Sequence, residues 1–207
     1  MEDLIRKISE IYFKYGIKSV TMDDLARELG LSKKTLYQHF KDKEDVVKKV
    51  INFLITSQEC GIEETLEDDS LNAIDRLFHM SRALASHLQT VNPAVSYDLQ
   101  KYYPKVWEEL LAFKRQTIFE HIMANSNQGI KEGLYRDDLN HEIIAAVYVS
   151  RLEMYSVGNW QGLDKFSFEE FFKTLFIYHV RGIASPKGVK YLESLIRQED
   201  GIQLLRR

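Results

Sequence analysis

The chain has 207 residues, of which 44% are hydrophobic, and a formal charge of −3 at pH 7. Its single cysteine, Cys60, excludes an intramolecular disulfide and fits a reducing compartment. No apolar run approaches the roughly 18–20 residues that cross a bilayer, and the opening MEDLIRKISE lacks the basic segment and apolar run of a signal peptide. We therefore expect a soluble, cytoplasmic protein with no membrane partner.

Four helices are predicted in the N-terminal part of the chain. Apolar residues at helical spacing indicate a first helix over residues 2–15, which Gly16 ends. Thr21 and Asp24 form a capping-box-like start for a second helix, and Gly30 ends it in the left-handed conformation that glycine tolerates best.

The third and fourth helices follow closely. Ser32 caps the third after a turn of about two or three residues, and a long fourth helix starts at Asp42. From Glu59 to Asp69 the sequence becomes acidic and loses its helical period. We therefore place a boundary here, between an N-terminal domain of residues 1–58 and a C-terminal domain of residues 59–207.

The pattern remains helical beyond this boundary, without a repeat. A helix is predicted over about 70–90, followed by a short one from Asn92-Pro93 to near Pro104 and a long one to about Asn125. An exposed turn is predicted at GIKEGLYRDDLN, and a helix over 141–157 follows it. The next helix runs from the capping box Ser167/Glu170 to about Gly182, and the last one begins at Ser185-Pro186. Nine or ten helices are expected, so the predicted fold class is all-α.

The stretch LSKKTLYQHFKDKEDVV, residues 31–47, contains a helix with an unusual charge pattern. No acidic residue occurs from Leu29 to Lys41. Two short helices joined by a tight glycine turn are the outline of a helix-turn-helix, whose second helix enters the major groove of DNA. With Leu36 and Phe40 turned inward, the hydrogen-bond donors of this helix point outward, where phosphates repel carboxylates and favour lysine.

The outward-facing side chains are assigned two kinds of DNA contact. Those placed to meet base edges or nearby phosphates are Lys33, Lys34, Tyr37 and Gln38. Those expected to hold the sugar-phosphate backbone are Thr21, Thr35, His39 and Lys43. The cap residue Ser32 is also predicted to contact DNA. The alternative is an ordinary solvated helix face, which two lysines alone would favour. The turn, the caps and the missing carboxylates together favour DNA.

The run GIKSVTMDDLARELGLSKKTLYQHFKDKEDVV resembles, almost position by position, the N-terminal domain of the TetR family of bacterial transcriptional regulators. The shared pieces are a glycine after the first helix, a threonine at the start of the second, L-A-x-x-L-G, S-x-x-T-L-Y-x-H-F and K-x-K-E-x-L. Val46 stands where the family usually has leucine. The resemblance covers about the first 55 residues and does not extend by motif into the rest.

The resemblance implies an all-helical homodimer with two DNA-reading heads, which binds a palindromic operator. The C-terminal domain would hold the dimer interface and a pocket for a small-molecule inducer. Binding of the inducer would move the heads apart, beyond the spacing of two half-sites, which is about 34–36 Å for such dimers.

The candidates for this dimer interface are two apolar helices of the C-terminal part, over residues 141–157 and 168–182. The helix over 141–157 is apolar nearly all round, so it must be covered on more than one side. The alternative is that both helices are buried within one subunit. The predicted interface residues are Ile143, Val147, Met154, Phe168, Phe172, Leu175, Phe176 and His179.

A ligand pocket is suggested by polar groups that lie among aromatic and apolar side chains. Arg151 could favour an anionic ligand, but an ion pair with Glu153 or a bridge across the dimer fits the sequence equally well. Each of these residues could also be an ordinary core residue. The predicted ligand-binding residues are Tyr97, Tyr102, Trp107, Phe113, Thr117, His121, Tyr148, Arg151 and Tyr155.

Signatures of enzymes are missing from the sequence. There is no glycine-rich phosphate loop, no H-E-x-x-H, no G-x-S-x-G and no Cys/His metal spacing. We expect no enzyme activity, no metal and no cofactor. The predicted function is a sequence-specific transcriptional regulator, a repressor that a small-molecule inducer releases from DNA. The alternatives are a ligand-independent architectural or protein-interaction factor, and an activator of the same fold.

Overall fold

The computed structural model describes residues 1–56, 70–90, 92–156 and 165–197, without the side chains of residues 84–90, 153–156, 168 and 169. These ranges form ten α-helices and no strand beyond an isolated bridge between Tyr135 and Ala184, which confirms the all-α prediction. A membrane span would need a longer or more apolar helix than any that these residues form. The helices are α1 (Glu2–Tyr15), α2 (Met22–Glu28), α3 (Lys33–His39), α4 (Lys43–Thr56), α5 (Ala73–Thr90), α6 (Pro93–Tyr102), α7 (Pro104–Lys131), α8 (His141–Ser156), α9 (Phe168–Ile183) and α10 (Pro186–Arg197).

The helix starts follow the caps that the sequence predicts. Thr21 Oγ1 accepts the Asp24 N–H at 3.1 Å, and Asp24 Oδ2 accepts the Thr21 N–H at 3.0 Å, so α2 begins with a complete capping box. Ser167 and Glu170 form the same arrangement at the start of α9. Such boxes satisfy two backbone donors that the first turn of a helix leaves without partners.

The segment predicted as an exposed turn, GIKEGLYRDDLN, differs in the structure. Helix α7 continues through Gly129 to Lys131, past the predicted end near Asn125. Tyr135 is buried, and its hydroxyl donates to Ala73 O at 3.1 Å and approaches Asn125 Oδ1 at 3.0 Å. A Cβ on Gly129 would overlap the Tyr135 ring. This glycine therefore serves the packing of the ring, and the prediction of an exposed turn was wrong here.

The chain forms two compact units, Met1–Glu59 with Gln89–Lys114, and Cys60–Leu88 with Arg115–Arg207. The core of the first unit contains buried residues of α1–α4 and also Val95, Leu99 and Val106. Helix α6 and the start of α7 therefore belong with the N-terminal helices, which differs from the predicted division at residue 58. The predicted boundary itself falls at residues outside the described ranges.

The second unit has a separate core, built from buried apolar side chains of α5, α7, α8, α9 and α10. Phe78 of α5 and Phe176 of α9 meet edge to face there, with ring centroids 5.3 Å apart. The core also encloses polar side chains, among them Ser81 and His179.

Candidate nucleic-acid interface and ligand-binding cluster

A tight turn joins α2 to α3. Gly30 has φ +65°, and the Leu31 N–H donates to Ala26 O at 2.8 Å, the bond that closes a helix ending in a left-handed residue. Ser32 then caps α3, because its Oγ accepts the Thr35 N–H at 3.0 Å. These local bonds fix the angle between two short helices that could not hold their geometry alone.

Burial decides which face of α3 points outward. Leu36 and Phe40 are buried against the core that contains Leu25, as the sequence predicts. On the opposite face Lys34 and Gln38 are exposed, and the Tyr37 side chain is 51% exposed. The exposed face of α3 thus combines a cation, an amide and a phenol and carries no carboxylate of its own.

Lys33, by contrast, has a partner within the protein. Its Nζ lies 2.6 Å from Asp23 Oδ2 of α2, and this hydrogen bond raises the pKa of Lys33. A phosphate would have to replace Asp23 as the partner of this lysine. The contact crosses the turn between two helices, so the sequence pattern did not reveal it.

The hydroxyl groups predicted to contact the DNA backbone take part in helix caps. Thr21 Oγ1 donates to Asp24 Oδ2 at 2.6 Å, and the hydrogen bonds from Thr21 lower the pKa of Asp24 to about 2. The hydroxyl groups of Ser32 and Thr35 lie 2.7 Å apart. The His39 side chain is exposed, and its carbonyl accepts from Lys49 Nζ at 2.9 Å.

The loop between α1 and α2 is held from two sides. Lys43 Nζ donates to the Lys18 carbonyl at 3.2 Å, and burial lowers the pKa of Lys43. The Lys18 N–H donates to Oδ2 of Asp98, a buried residue of α6, at 2.6 Å. A hydrogen bond to a buried carboxylate is stronger than one between neutral groups. Asp98 is therefore a positioning residue for the helix-turn-helix that sequence reasoning missed.

Replacing Asp98 with alanine is expected to lower the free energy of unfolding by about 1–3 kcal/mol, since the Lys18 N–H loses its acceptor. DNA affinity should fall with it, because the loop precedes α2 and contacts Lys43. Urea denaturation and a DNA titration would measure both effects. The exposed Gln100 of the same helix provides the control, since Gln100→Ala should leave both unchanged. Equal behaviour of the two variants would contradict the role of Asp98.

Comparisons with known proteins agree with this geometry. A family model for bacterial regulatory proteins of the tetR family matches residues 4–50. The HTH-type transcriptional regulator YvaF of Bacillus subtilis is 27% identical over 134 residues, which are 65% of this chain and 70% of YvaF. Residues 4–50 therefore form a DNA-binding domain of the TetR type. The repressor KstR2 of Mycobacterium tuberculosis is 24% identical over 69% of this chain and 72% of its own.

Similarity of fold extends beyond the matched domain. A transcriptional regulator from Cytophaga hutchinsonii superimposes with a TM-score of 0.73 at 18% sequence identity, over 89% of this chain and 98% of that protein. The chain is a DNA-binding transcriptional regulator, and the helix-turn-helix formed by α2 and α3, within the residues that the tetR family model matches, is its DNA-binding element.

The predicted ligand-binding residues fall in different parts of the chain. The first compact unit holds the exposed Tyr97 and Tyr102, half-buried Trp107, which packs against the helix-turn-helix core, and Phe113. The second unit holds Thr117, His121, Tyr148 and Arg151. The side chain of Tyr155 lies outside the description. Among the described contacts, Tyr148 and Arg151 meet directly, while Tyr97 and Tyr102 both contact Lys101.

Tyr148 and Arg151 belong to a buried polar cluster, which we define as Ser81, Tyr148, Arg151 and His179. The hydroxyls of Ser81 and Tyr148 are 2.8 Å apart, and the Tyr148 and His179 rings have centroids 4.8 Å apart. Arg151 Nη2 lies 2.9 Å from His179 Nδ1. Arg151 thus meets a histidine, and none of the described ion pairs includes it. His179 was predicted for the dimer interface instead.

The stability of the protein should depend on His179 below neutral pH. Burial, and then the charge of Arg151, lower the pKa of His179 from 6.5 to about 3. Between these two pH values the unfolded chain therefore binds a proton at His179, whereas the folded chain does not. The free energy of unfolding should fall as the pH drops from about 6.5 towards 3, by up to ~1.4 kcal/mol per pH unit.

Chemical denaturation at a series of pH values would measure this dependence. His179→Gln should flatten the slope in that window, whereas His39→Gln, at an exposed histidine, should not. An unchanged slope in His179→Gln would contradict the assignment.

The predicted interface residues also divide by burial. Ile143 and Val147 are 60% and 49% exposed in the single chain, whereas Phe176 and His179 are buried within it and offer little surface to a partner. Phe172 and Leu175 are partly exposed, and the side chains of Met154 and Phe168 lie outside the description. Tyr178 of α9, 71% exposed, is a further candidate that sequence reasoning did not select.

Proposed function

We propose that this regulator is a homodimeric repressor that binds a palindromic operator and leaves it when a small-molecule inducer binds. The exposed, carboxylate-free face of α3 carries the DNA part of this proposal. Gln38 can pair with adenine through two hydrogen bonds, while Lys34 and Tyr37 can meet bases or phosphates. Thr21, Ser32, Thr35, His39 and Lys43 remain the proposed contacts to the sugar-phosphate backbone, with Lys33 once Asp23 is displaced.

Exposed apolar side chains on α8 and α9 support the dimer. Ile143 and Val147 are four residues apart, so they lie on one face of α8, and Tyr178 leaves a large ring exposed on α9. A twofold copy would cover such a surface with its own equivalent. The two α3 helices of the dimer would then read half-sites about 34–36 Å apart, one turn of DNA.

Val147→Glu is expected to shift the protein from dimer to monomer at micromolar concentration, because two buried carboxylates would face each other near the twofold axis. Analytical ultracentrifugation would measure the shift, and Glu142→Gln on the exposed surface of the same helix is the control. A dimer that survives Val147→Glu unchanged would place the interface elsewhere.

Repression and induction are supported by different observations. KstR2, 24% identical, is a transcriptional repressor. The buried polar cluster supplies convergent polar groups next to aromatic rings, as small-molecule sites do. An activator of the same fold would bind DNA in the same way and differ in its effect on transcription. An architectural factor would bind DNA without responding to any small molecule.

A gel-shift titration against the DNA immediately upstream of the gene, at two salt concentrations, tests the proposal. We expect a specific complex of one dimer per palindromic site, which weakens with salt as about six or more phosphate contacts require. A reporter fused to the same DNA separates repression from activation. If that DNA gives no shift, selection from random sequences decides. Failure to enrich a palindrome would contradict the proposal.

A further inference from the structure

Arg151 carries a positive charge that no described carboxylate balances. Its guanidinium is partly buried, and its carbon lies 5.5 Å from the centroid of the Tyr148 ring. Nη2 meets His179, while Nε is buried without any hydrogen-bond partner. Burying part of a guanidinium without a counter-ion costs free energy, and proteins usually pair such a group.

The proton on His179 can be assigned from this contact. A guanidinium can only donate hydrogen bonds, so Nδ1 of His179 must accept from Arg151. The ring proton of neutral His179 therefore resides on Nε2. The side chain is only 6% exposed, and Nε2 is buried without a partner. The cluster thus contains two buried N–H donors without acceptors, Arg151 Nε and His179 Nε2, beside one positive charge that no carboxylate among the described side chains balances.

We propose that Arg151 and His179 bind the carboxylate of a small organic acid, and that this acid is the inducer. The proposal rests on the inducer-released repressor described above and names the chemical class of the inducer. A carboxylate supplies what the cluster lacks, a negative charge and acceptor lone pairs for N–H groups. An arginine can hold it through two parallel hydrogen bonds once Nε takes part.

Apolar side chains for the rest of such an acid lie one helical turn away on α9. Phe176 lies one turn before His179 on α9 and, with Phe78 and Leu192, lines a small apolar cleft. The cleft is small, so an entering acid has to displace side chains of α9. The same helix carries the exposed Tyr178, and binding would therefore act on the proposed dimer surface.

A carboxylate from the second subunit is the competing partner for Arg151, since α8 also carries the proposed interface. The two explanations differ in their consequences. A bridge between subunits is present without any ligand, and its loss weakens the dimer. At a ligand site the charge has its carboxylate partner only when the acid is bound, so removing the charge leaves the dimer intact.

The first arm of the test compares the melting temperatures of wild type and Arg151→Met without ligand. Methionine keeps much of the apolar contact of the arginine side chain and removes its charge. We expect an unchanged dimer on dilution and a melting temperature that falls by no more than the loss of the bond to His179 Nδ1 explains. Dissociation at concentrations where the wild type is dimeric overturns the proposal.

The second arm adds benzoate, hexanoate or decanoate at constant ionic strength, with the corresponding amides as uncharged controls. At least one acid should raise the melting temperature of the wild type by about 2 °C or more at saturation, and its amide should not. Arg151→Met should lose this shift. Arg181→Met should keep it, because Arg181 is an exposed residue of α9 that pairs with Glu193 at 3.4 Å. No shift with any acid, an equal shift with the amide, or a shift that survives Arg151→Met overturns the proposal.

DNA binding is measured separately in the same samples. If the wild type binds the operator but does not respond to the acids, the organic-acid site is rejected and the proposed DNA-binding function is retained. An Arg151-dependent shift in a protein that binds no palindrome would keep the site and reject the repressor. Release of operator DNA by the stabilising acid is the result expected if both are correct.

Discussion

Replacing Tyr37 with alanine is expected to lower the affinity for specific DNA roughly 10- to 100-fold, because a good contact to a base is worth about 1–3 kcal/mol. The ring is half exposed, so its removal should leave the melting temperature nearly unchanged. Fluorescence anisotropy with labelled operator DNA would give the affinity, and differential scanning fluorimetry the stability.

Tyr15 provides a matched control for this variant. It is a tyrosine of the same compact unit, 50% exposed against 51% for Tyr37, but it lies at the end of α1. Tyr15→Ala should therefore bind DNA like the wild type. Tyr37→Phe separates two kinds of contact, since it removes a hydroxyl bond and retains packing against a thymine methyl. Wild-type affinity in Tyr37→Ala would mean that α3 does not read the operator as assigned.

Lys43→Ala should also weaken DNA binding, but the structure predicts a less simple result. Lys43 Nζ donates a hydrogen bond to the carbonyl of Lys18, so this variant loses a structural bond together with the proposed phosphate contact. The logarithm of the affinity should depend less steeply on the logarithm of the salt concentration, by an amount equal to about one phosphate contact. This change of slope would identify the electrostatic part of the loss in affinity.

Replacing Phe40 with alanine is expected to lower the free energy of unfolding by about 3–5 kcal/mol, the usual cost of emptying a buried phenylalanine site. Phe40 is fully buried at the C-terminus of α3, and Lys49 Nζ lies 5.2 Å from its ring centroid. Because α3 has only seven residues, it depends on this contact to keep its position. DNA binding should therefore be lost as well.

Urea denaturation followed by circular dichroism would measure the loss of stability. Gln38→Ala, on the exposed face of the same helix, should change stability by less than about 0.5 kcal/mol while still weakening DNA binding. The two variants thus separate the inward and outward faces of α3. A loss below about 1 kcal/mol in Phe40→Ala would show that the core tolerates the cavity, contrary to its burial.

The sequence by itself determined where most helices begin and which side chains α3 exposes. Thr21 with Asp24, Ser32, and Ser167 with Glu170 cap helices that start where predicted. These features depend on residues three or four positions apart, so a local pattern contains the whole interaction. The inward placement of Leu36 and Phe40 follows from the same helical period. The family could be recognised for the same reason, since its motif is a continuous stretch of local signals.

Only the tertiary structure decided which distant residues meet. Asp98 reaches the backbone of Lys18, Lys33 pairs with Asp23 across a turn, and Arg151 meets His179. The Tyr135 ring fills the space that Gly129 leaves, in a segment that reads as an exposed turn. Such contacts depend on how helices pack against each other, and hydrophobic periodicity fixes only which face of each helix is buried. Which residues become neighbours is decided only when the helices pack together. The contacts that support the DNA-binding loop and those that form the buried polar cluster are decided at the same step.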